Sequence, residues 1–126
     1  MTGGSTAGGV GLLLRAEGAA VAIAMAIVVW RVDPQLWIVA VGLLAPDVAI
    51  AGYLLGPRIG ALLYNAAHAY LGPAALAGAW LISDEPAFAA VAALWALHIG
   101  VDRMLGFGLK HPAGFGDTHL GRIGRR

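Results

Sequence analysis

The chain has no cysteine, few charges and no basic patch. Without cysteine there is neither a disulfide nor a thiolate to act as nucleophile or ligand, although that absence assigns no compartment. Charged residues make up 12% of the 126, about half the ~25% of a soluble domain. The net charge is +1, which offers nucleic acid nothing to bind. At this length one domain is expected. Residues 1–9 are small and polar without a basic n-region, so they read as a disordered lead and not as a signal peptide.

What the chain does have is apolar length. Sixty per cent of its residues are hydrophobic, and its nineteen glycines are scattered through the apolar stretches. Glycine is tolerated in membrane helices and lets backbones approach closely. A spanning helix needs about 20 mostly apolar residues. Four segments qualify, at about 10–30, 34–55, 59–82 and 86–109, joined by short connections at 31–33, 56–58 and 83–85. Asp33 before Pro34 and Glu85 before Pro86 place an acid and a proline at helix starts, where both are favoured. The reading is an all-α, four-helix transmembrane bundle with a tail at 110–126.

Basic residues set the sides. Arg15, Arg58, Arg103, Lys110, Arg122, Arg125 and Arg126 fall on one side, and Arg31 falls alone on the other with Asp33, Asp84 and Glu85. The positive-inside rule then puts both termini in the cytoplasm. The expected location is the cytoplasmic (inner) membrane, multi-pass.

Four ionisable residues interrupt the apolar runs: Asp47, His68, His98 and Asp102. A charge at mid-bilayer costs roughly 3 kcal/mol on insertion scales. At 1.5 Å per residue from the Arg58–Lys110 level, Asp47, His68 and His98 lie about 15–18 Å deep, and Asp102 about 12 Å. Three helices therefore bring polar groups to one level. His98 and Asp102 share a face at i,i+4, as do Tyr64, Asn65 and His68 broadly. Pro46 can kink the second span toward Asp47, and Pro73 can do the same to the third.

In an apolar surround a carboxyl is pushed up and an imidazole down, toward neutrality, where proton transfer is most effective. Asp47, His68, His98 and Asp102 are thus candidate acids and bases. The same set can ligate a divalent metal, chiefly His68, His98 and Asp102, with Asn65 as a neutral outer partner. No run of these residues has a recognised metal spacing. The competing structural reading, a polar network that only holds helices together, gains little, since such bonds average well under ~1 kcal/mol. A relay reading lacks a path, because nothing polar continues from His98 to the far side.

Around this pocket, Glu17, Tyr53, Arg58, Tyr64, Asn65, Arg103 and Lys110 are candidate substrate contacts, with Arg58, Arg103 and Lys110 ringing its cytoplasmic mouth. Interfacial snorkelling is the plainer role for those cations. Tyr70 is a further pocket hydroxyl. Lys110 to Arg122 is punctuated by Pro112, Gly114 and Gly116. It can loop back to close the mouth and present Asp117 and His119, or simply lie on anionic lipid headgroups, as Arg125 and Arg126 are expected to do.

Three blocks carry a family resemblance. They are Leu14-Arg15-Ala16-Glu17-Gly18; Ala45-Pro46-Asp47 through Gly52-Tyr53, Gly56-Pro57-Arg58 and Tyr64-Asn65 to His68; and His98-Ile99-Gly100 through Asp102-Arg103, Gly106 and Gly108-Leu109-Lys110 to Phe115 and Asp117-Thr118-His119-Leu120-Gly121. The chain resembles, over nearly its whole length after the first ten residues, a small uncharacterised prokaryotic membrane protein family known only as a domain of unknown function. In that family's pattern a hydroxyl residue often stands where this chain has Ala49 and Ala69, and a tyrosine where it has Phe107. The resemblance implies a four-helix membrane fold, implies no reaction, and makes those hydroxyls dispensable in this member.

The functional expectation is an intramembrane enzyme using acid/base or metal-assisted chemistry on a lipophilic small molecule: a hydrolase, an isomerase or a cyclase. The alternatives are a small-solute or ion binding or transport protein and an accessory subunit of a membrane complex. The expected partners are membrane lipids, and a homo-oligomer would help enclose the pocket.

Overall fold

A computed structural model describes residues 8–112 and 114–123. The lead before Gly8 and the terminal Arg125 and Arg126 lie outside them. The fold is all-α. Helix α1 (Gly9–Val32) is followed by α2 (Leu36–Leu55), α3 (Pro57–His68), α4 (Leu71–Ser83) and α5 (Pro86–Leu105). A small hairpin, β1 (Asp117–Thr118) antiparallel to β2 (Gly121–Arg122), closes the tail. The connections expected at 31–33 and 83–85 turn on Asp33 and Asp84, both left-handed (φ 48° and 55°), a conformation aspartate tolerates better than most residues.

Three helices, α1, α2 and α5, are long and apolar enough to cross a membrane. The third expected span is two helices, not one. The chain leaves helical geometry at Ala69 (φ −99°, ψ 149°) and restarts at Leu71. Pro73 explains the break: it has no N–H for the carbonyl of residue 69, and its ring clashes there. Proline also reshapes α2. From Ala45 to Leu55 this helix winds as a 3₁₀-helix, an unusually long stretch of that form. Pro46 starts it by withholding the N–H that Gly42 would accept in an α-helix.

The core sets many alanines around Leu94, Ile99 and Tyr64, and α5 is its centre, packing on α1, α4 and the first half of α2. Buried positions include Ala22, Ala61, Ala90, Ala92, Ala93 and Ala96. The closest crossing is α1 on α5: a Cβ on Gly18 would lie 2.8 Å from the Gly100 carbonyl oxygen, and one on Gly100 would lie 2.8 Å from that of Gly18. Small residues at such a crossing replace the hydrophobic driving force that lipid removes. Large side chains point outward instead, among them Leu12, Ile23, Trp30, Leu36, Trp37, Leu54, Leu71 and Ile82. A water-soluble monomer rarely shows so much apolar surface.

Candidate metal centre

Each proline-induced irregularity frees a backbone carbonyl, and α5 collects them. Where α3 ends, the His68 carbonyl accepts Nη2 of Arg103 (2.8 Å) and the Ala67 carbonyl accepts Nε1 of Trp95 (2.6 Å). In 3₁₀ register the Leu43 carbonyl faces residue 46, a proline with nothing to donate. Nδ1 of His98 donates to it instead, at 2.6 Å. Non-helical backbone survives at membrane depth only when protein satisfies it in this way.

The same irregularities bring Asp47, His68, His98 and Asp102 together. His68 Nε2 lies 3.3 Å from Asp47 Oδ1, 3.5 Å from Asp102 Oδ2 and 3.2 Å from His98 Nε2. His98 Nε2 lies 3.2 Å from Asp47 Oδ1 and 3.4 Å from Asp102 Oδ2. All four ligand atoms fall within 4.8 Å of one another.

The tautomers follow from the other ring nitrogens. His68 Nδ1 lies 2.9 Å from the Tyr64 carbonyl oxygen, and His98 Nδ1 is on Leu43. A carbonyl only accepts, so each Nδ1 carries the hydrogen and each neutral ring turns a bare Nε2 lone pair inward. Two lone pairs and two carboxylates then converge, four acceptors with no donor between them. A single added proton serves one or two of the five contacts. Two would set imidazolium N–H groups face to face at 3.2 Å. A cation there would be held by His68, His98 and Asp102, with Asp47 beside it. For bonds of about 2.0–2.1 Å, a tetrahedral ion separates its ligands by about 3.3–3.4 Å, and the three separations among His68 Nε2, His98 Nε2 and Asp102 Oδ2 run from 3.2 to 3.5 Å. The backbone-anchored Nδ1–H is also how ligating histidines are ordinarily held.

Burial grades the four. His68 is fully buried, His98 and Asp102 are partly buried, and the Asp47 side chain is 51% exposed. Along the outer side of α2, Leu44 and Val48 are 67% and 72% exposed. The open edge of the cluster thus lies among exposed apolar residues.

The tail folds back over the opposite edge. The Tyr64 ring stacks on His68 (centroids 3.8 Å apart, planes 7°), and Lys110 Nζ sits over Tyr64 (4.8 Å) and Phe115 (3.8 Å). Phe115 packs edge-on against Tyr53. Burial pushes the Lys110 ammonium below its usual value. Asn65 does not join the cluster. Its amide accepts from the Lys110 N–H (2.6 Å) and donates to the Lys110 carbonyl (2.8 Å), fastening the tail to α3. A two-hydrogen-bond clamp on a backbone gave no sequence signal.

The remaining candidates disperse. Arg58 stands exposed, away from the cluster. Arg103 is buried, with its guanidinium on the His68 and Phe107 carbonyls. Asp117 pairs with Arg122 (3.4 Å). His119 Nδ1 accepts the Leu109 N–H (2.8 Å). Glu17, Tyr70, Arg103 and His119 line a separate cavity between α1, α4 and α5. The Tyr53 hydroxyl is buried with no hydrogen-bond partner among the described residues. Sequence reading missed Trp95 and the Leu43 carbonyl, which orient the site from outside it. Pro46 was the available signal for the latter.

No curated protein and no solved structure matches the chain. A family model described as a domain of unknown function, DUF4260, matches residues 11–123. With nearly its whole length matched, the chain belongs to the DUF4260 family.

Proposed function

We propose that the protein is a multi-pass metalloenzyme of the cytoplasmic membrane, with both termini in the cytoplasm, that hydrolyses a lipophilic substrate. The observation that supports the reading is the set of three separations of 3.2–3.5 Å among the inward-turned Nε2 atoms of His68 and His98 and Oδ2 of Asp102. His68, His98 and Asp102 form a buried two-histidine, one-carboxylate set of the kind that catalytic zinc sites use, with further coordination left open. An ion held there supplies Lewis acidity toward a carbonyl or phosphoryl oxygen. Asp47, on the open edge, takes the proton from the attacking water and returns it to the leaving group. Because that edge lies among exposed apolar residues of α2, the substrate arrives from the lipid and not through the tail. Tyr64, stacked on His68, fixes the ring plane.

The test separates holding from turning over. The purified protein is loaded with Zn²⁺ or Mn²⁺ and assayed on lipid carboxyl esters and phosphoesters in mixed micelles. Asp47→Asn should keep the metal and lose turnover at least 100-fold. Asp102→Asn should lose the metal itself. If Asp47→Asn hydrolyses as fast as wild type, Asp47 is not the base. If no loaded preparation hydrolyses either class, the hydrolytic reading fails.

A further inference from the structure

On the far side of α5 from the tail-covered Tyr64, two cavities run into one another between α1 and α4, sharing Val21 and Tyr70. The first, about 430 Å³, is polar at its end, where Glu17, Tyr70, Arg103 and His119 meet. The second, about 490 Å³, is apolar, with Met25, Val28, Ala74, Ala77 and Trp80 in its wall. From Val21 to Val32 it follows α1 for about 16 Å, about half of a ~30 Å hydrocarbon core.

The polar end is built for two charges of opposite sign. Arg103 is 8% exposed and spends two N–H groups on the Phe107 and His68 carbonyls. A guanidinium has five, so donors remain for a phosphate. Glu17, adjacent in sequence to Gly18 of the crossing, supplies a carboxylate on the exposed side. Burial and the nearby Arg103 charge push His119 below its usual value, so the imidazole adds no charge there at neutral pH.

We infer that this groove binds one membrane lipid whose head pairs a phosphate with a primary ammonium, as in phosphatidylethanolamine, with a chain in the apolar cavity. The phosphate lies on Arg103 and the ammonium on Glu17. A head with only a negative charge leaves Glu17 opposed and unpaired. A trimethylammonium cannot donate hydrogen bonds to it. The site shares no ligand with the Asp47–His68–His98–Asp102 cluster and stands whether or not that cluster holds a metal.

The test uses full-length protein, stripped of lipid in detergent and offered an equal mixture of dioleoyl phosphatidylethanolamine, phosphatidylglycerol and phosphatidylcholine, with adducts read by native mass spectrometry. Wild type should retain one phosphatidylethanolamine per chain, at least tenfold over either competitor. Ala77→Trp, which fills the apolar cavity, should lower retention at least tenfold with helical circular dichroism unchanged. The exposed Glu17→Gln keeps the test decisive should Ala77→Trp misfold; it should abolish the preference among the three heads. Equal retention of all three lipids by wild type, undiminished retention by a folded Ala77→Trp, or an unchanged preference in Glu17→Gln would each overturn the proposal.

Discussion

Nε2 of His68 faces Nε2 of His98 at 3.2 Å, each ring held by its Nδ1 on a backbone carbonyl. Two lone pairs at that distance repel unless something positive stands between them, and two carboxylates from α2 and α5 complete the surround. The carbonyls that hold the rings come from different causes. Tyr64 is one turn back on α3, whereas Leu43 is free because residue 46 is proline.

Pro46 therefore governs the metal site without touching it. Restoring an N–H with Pro46→Ala gives the Leu43 carbonyl a backbone donor in 3₁₀ register, in competition with His98 Nδ1. Loss of such an outer hydrogen bond typically costs 10–100-fold in metal affinity. A competition titration with a fluorescent zinc chelator should show a loss in that range, with helical content kept.

The α1–α5 crossing should tolerate no side chain. Gly100→Val drives a Cβ to within 2.9 Å of the Ala22 backbone nitrogen, and backbone atoms cannot swing away. Overpacking of this kind costs about 1–3 kcal/mol. Gly78 has nothing within 4 Å of the corresponding position, so Gly78→Ala should gain up to ~1 kcal/mol from helix propensity. Thermal unfolding in detergent should move down for the first variant and up for the second.

Asn65 should decide whether the tail stays docked. Asn65→Ala removes both clamps on the Lys110 backbone and leaves that buried N–H without its acceptor, at about 1–3 kcal/mol. Limited proteolysis within residues 107–119 should accelerate in the variant, and less in Asn65→Gln, which retains both an amide acceptor and an amide donor.

The tail should also loosen in acid. His119 is held below its ordinary value of 6.5 by burial first, then by the positive charge of Arg103. The released tail binds a proton near 6.5 while the docked tail does not. Docking is thus fully favoured above that pH and weakens as pH falls below it, down to the depressed docked value. Protonation also occupies the Nδ1 lone pair that accepts the Leu109 N–H. Hydrogen exchange at the Leu109 amide, corrected for intrinsic rate, should quicken between pH 6.5 and 5, and His119→Gln should flatten that response.

Much of this architecture could be read from residues alone, because lipid leaves few options. Apolar lengths mark the spans, and a charge inside one requires a partner, so counting 1.5 Å per residue brought Asp47, His68 and His98 to one level. Depth is a coarse property that survives local irregularity. Azimuth is not. Helical counting puts Asp47 and Tyr53 on different faces, whereas in a 3₁₀ stretch of three residues per turn they align. The break at Ala69 and Tyr70 escaped for the same reason: Pro73 could be read as a kink, but its effect depends on whether α5 supplies Trp95 and Arg103 to the freed carbonyls. Asn65 shows the limit on side chains. Read from the sequence it is an outer partner of the cluster, whereas it holds the Lys110 backbone, since a backbone in a distant tail leaves no mark in the local pattern.

The most direct test is metal content. Wild type and His68→Ala/His98→Ala, purified side by side in detergent, are incubated with equimolar Zn²⁺, desalted and measured by inductively coupled plasma mass spectrometry, with circular dichroism to verify that both are folded. The account predicts close to one metal ion per wild-type chain and less than a tenth of that in the double variant. Wild-type protein that leaves the column without metal, or a folded double variant that retains as much as wild type, would contradict it.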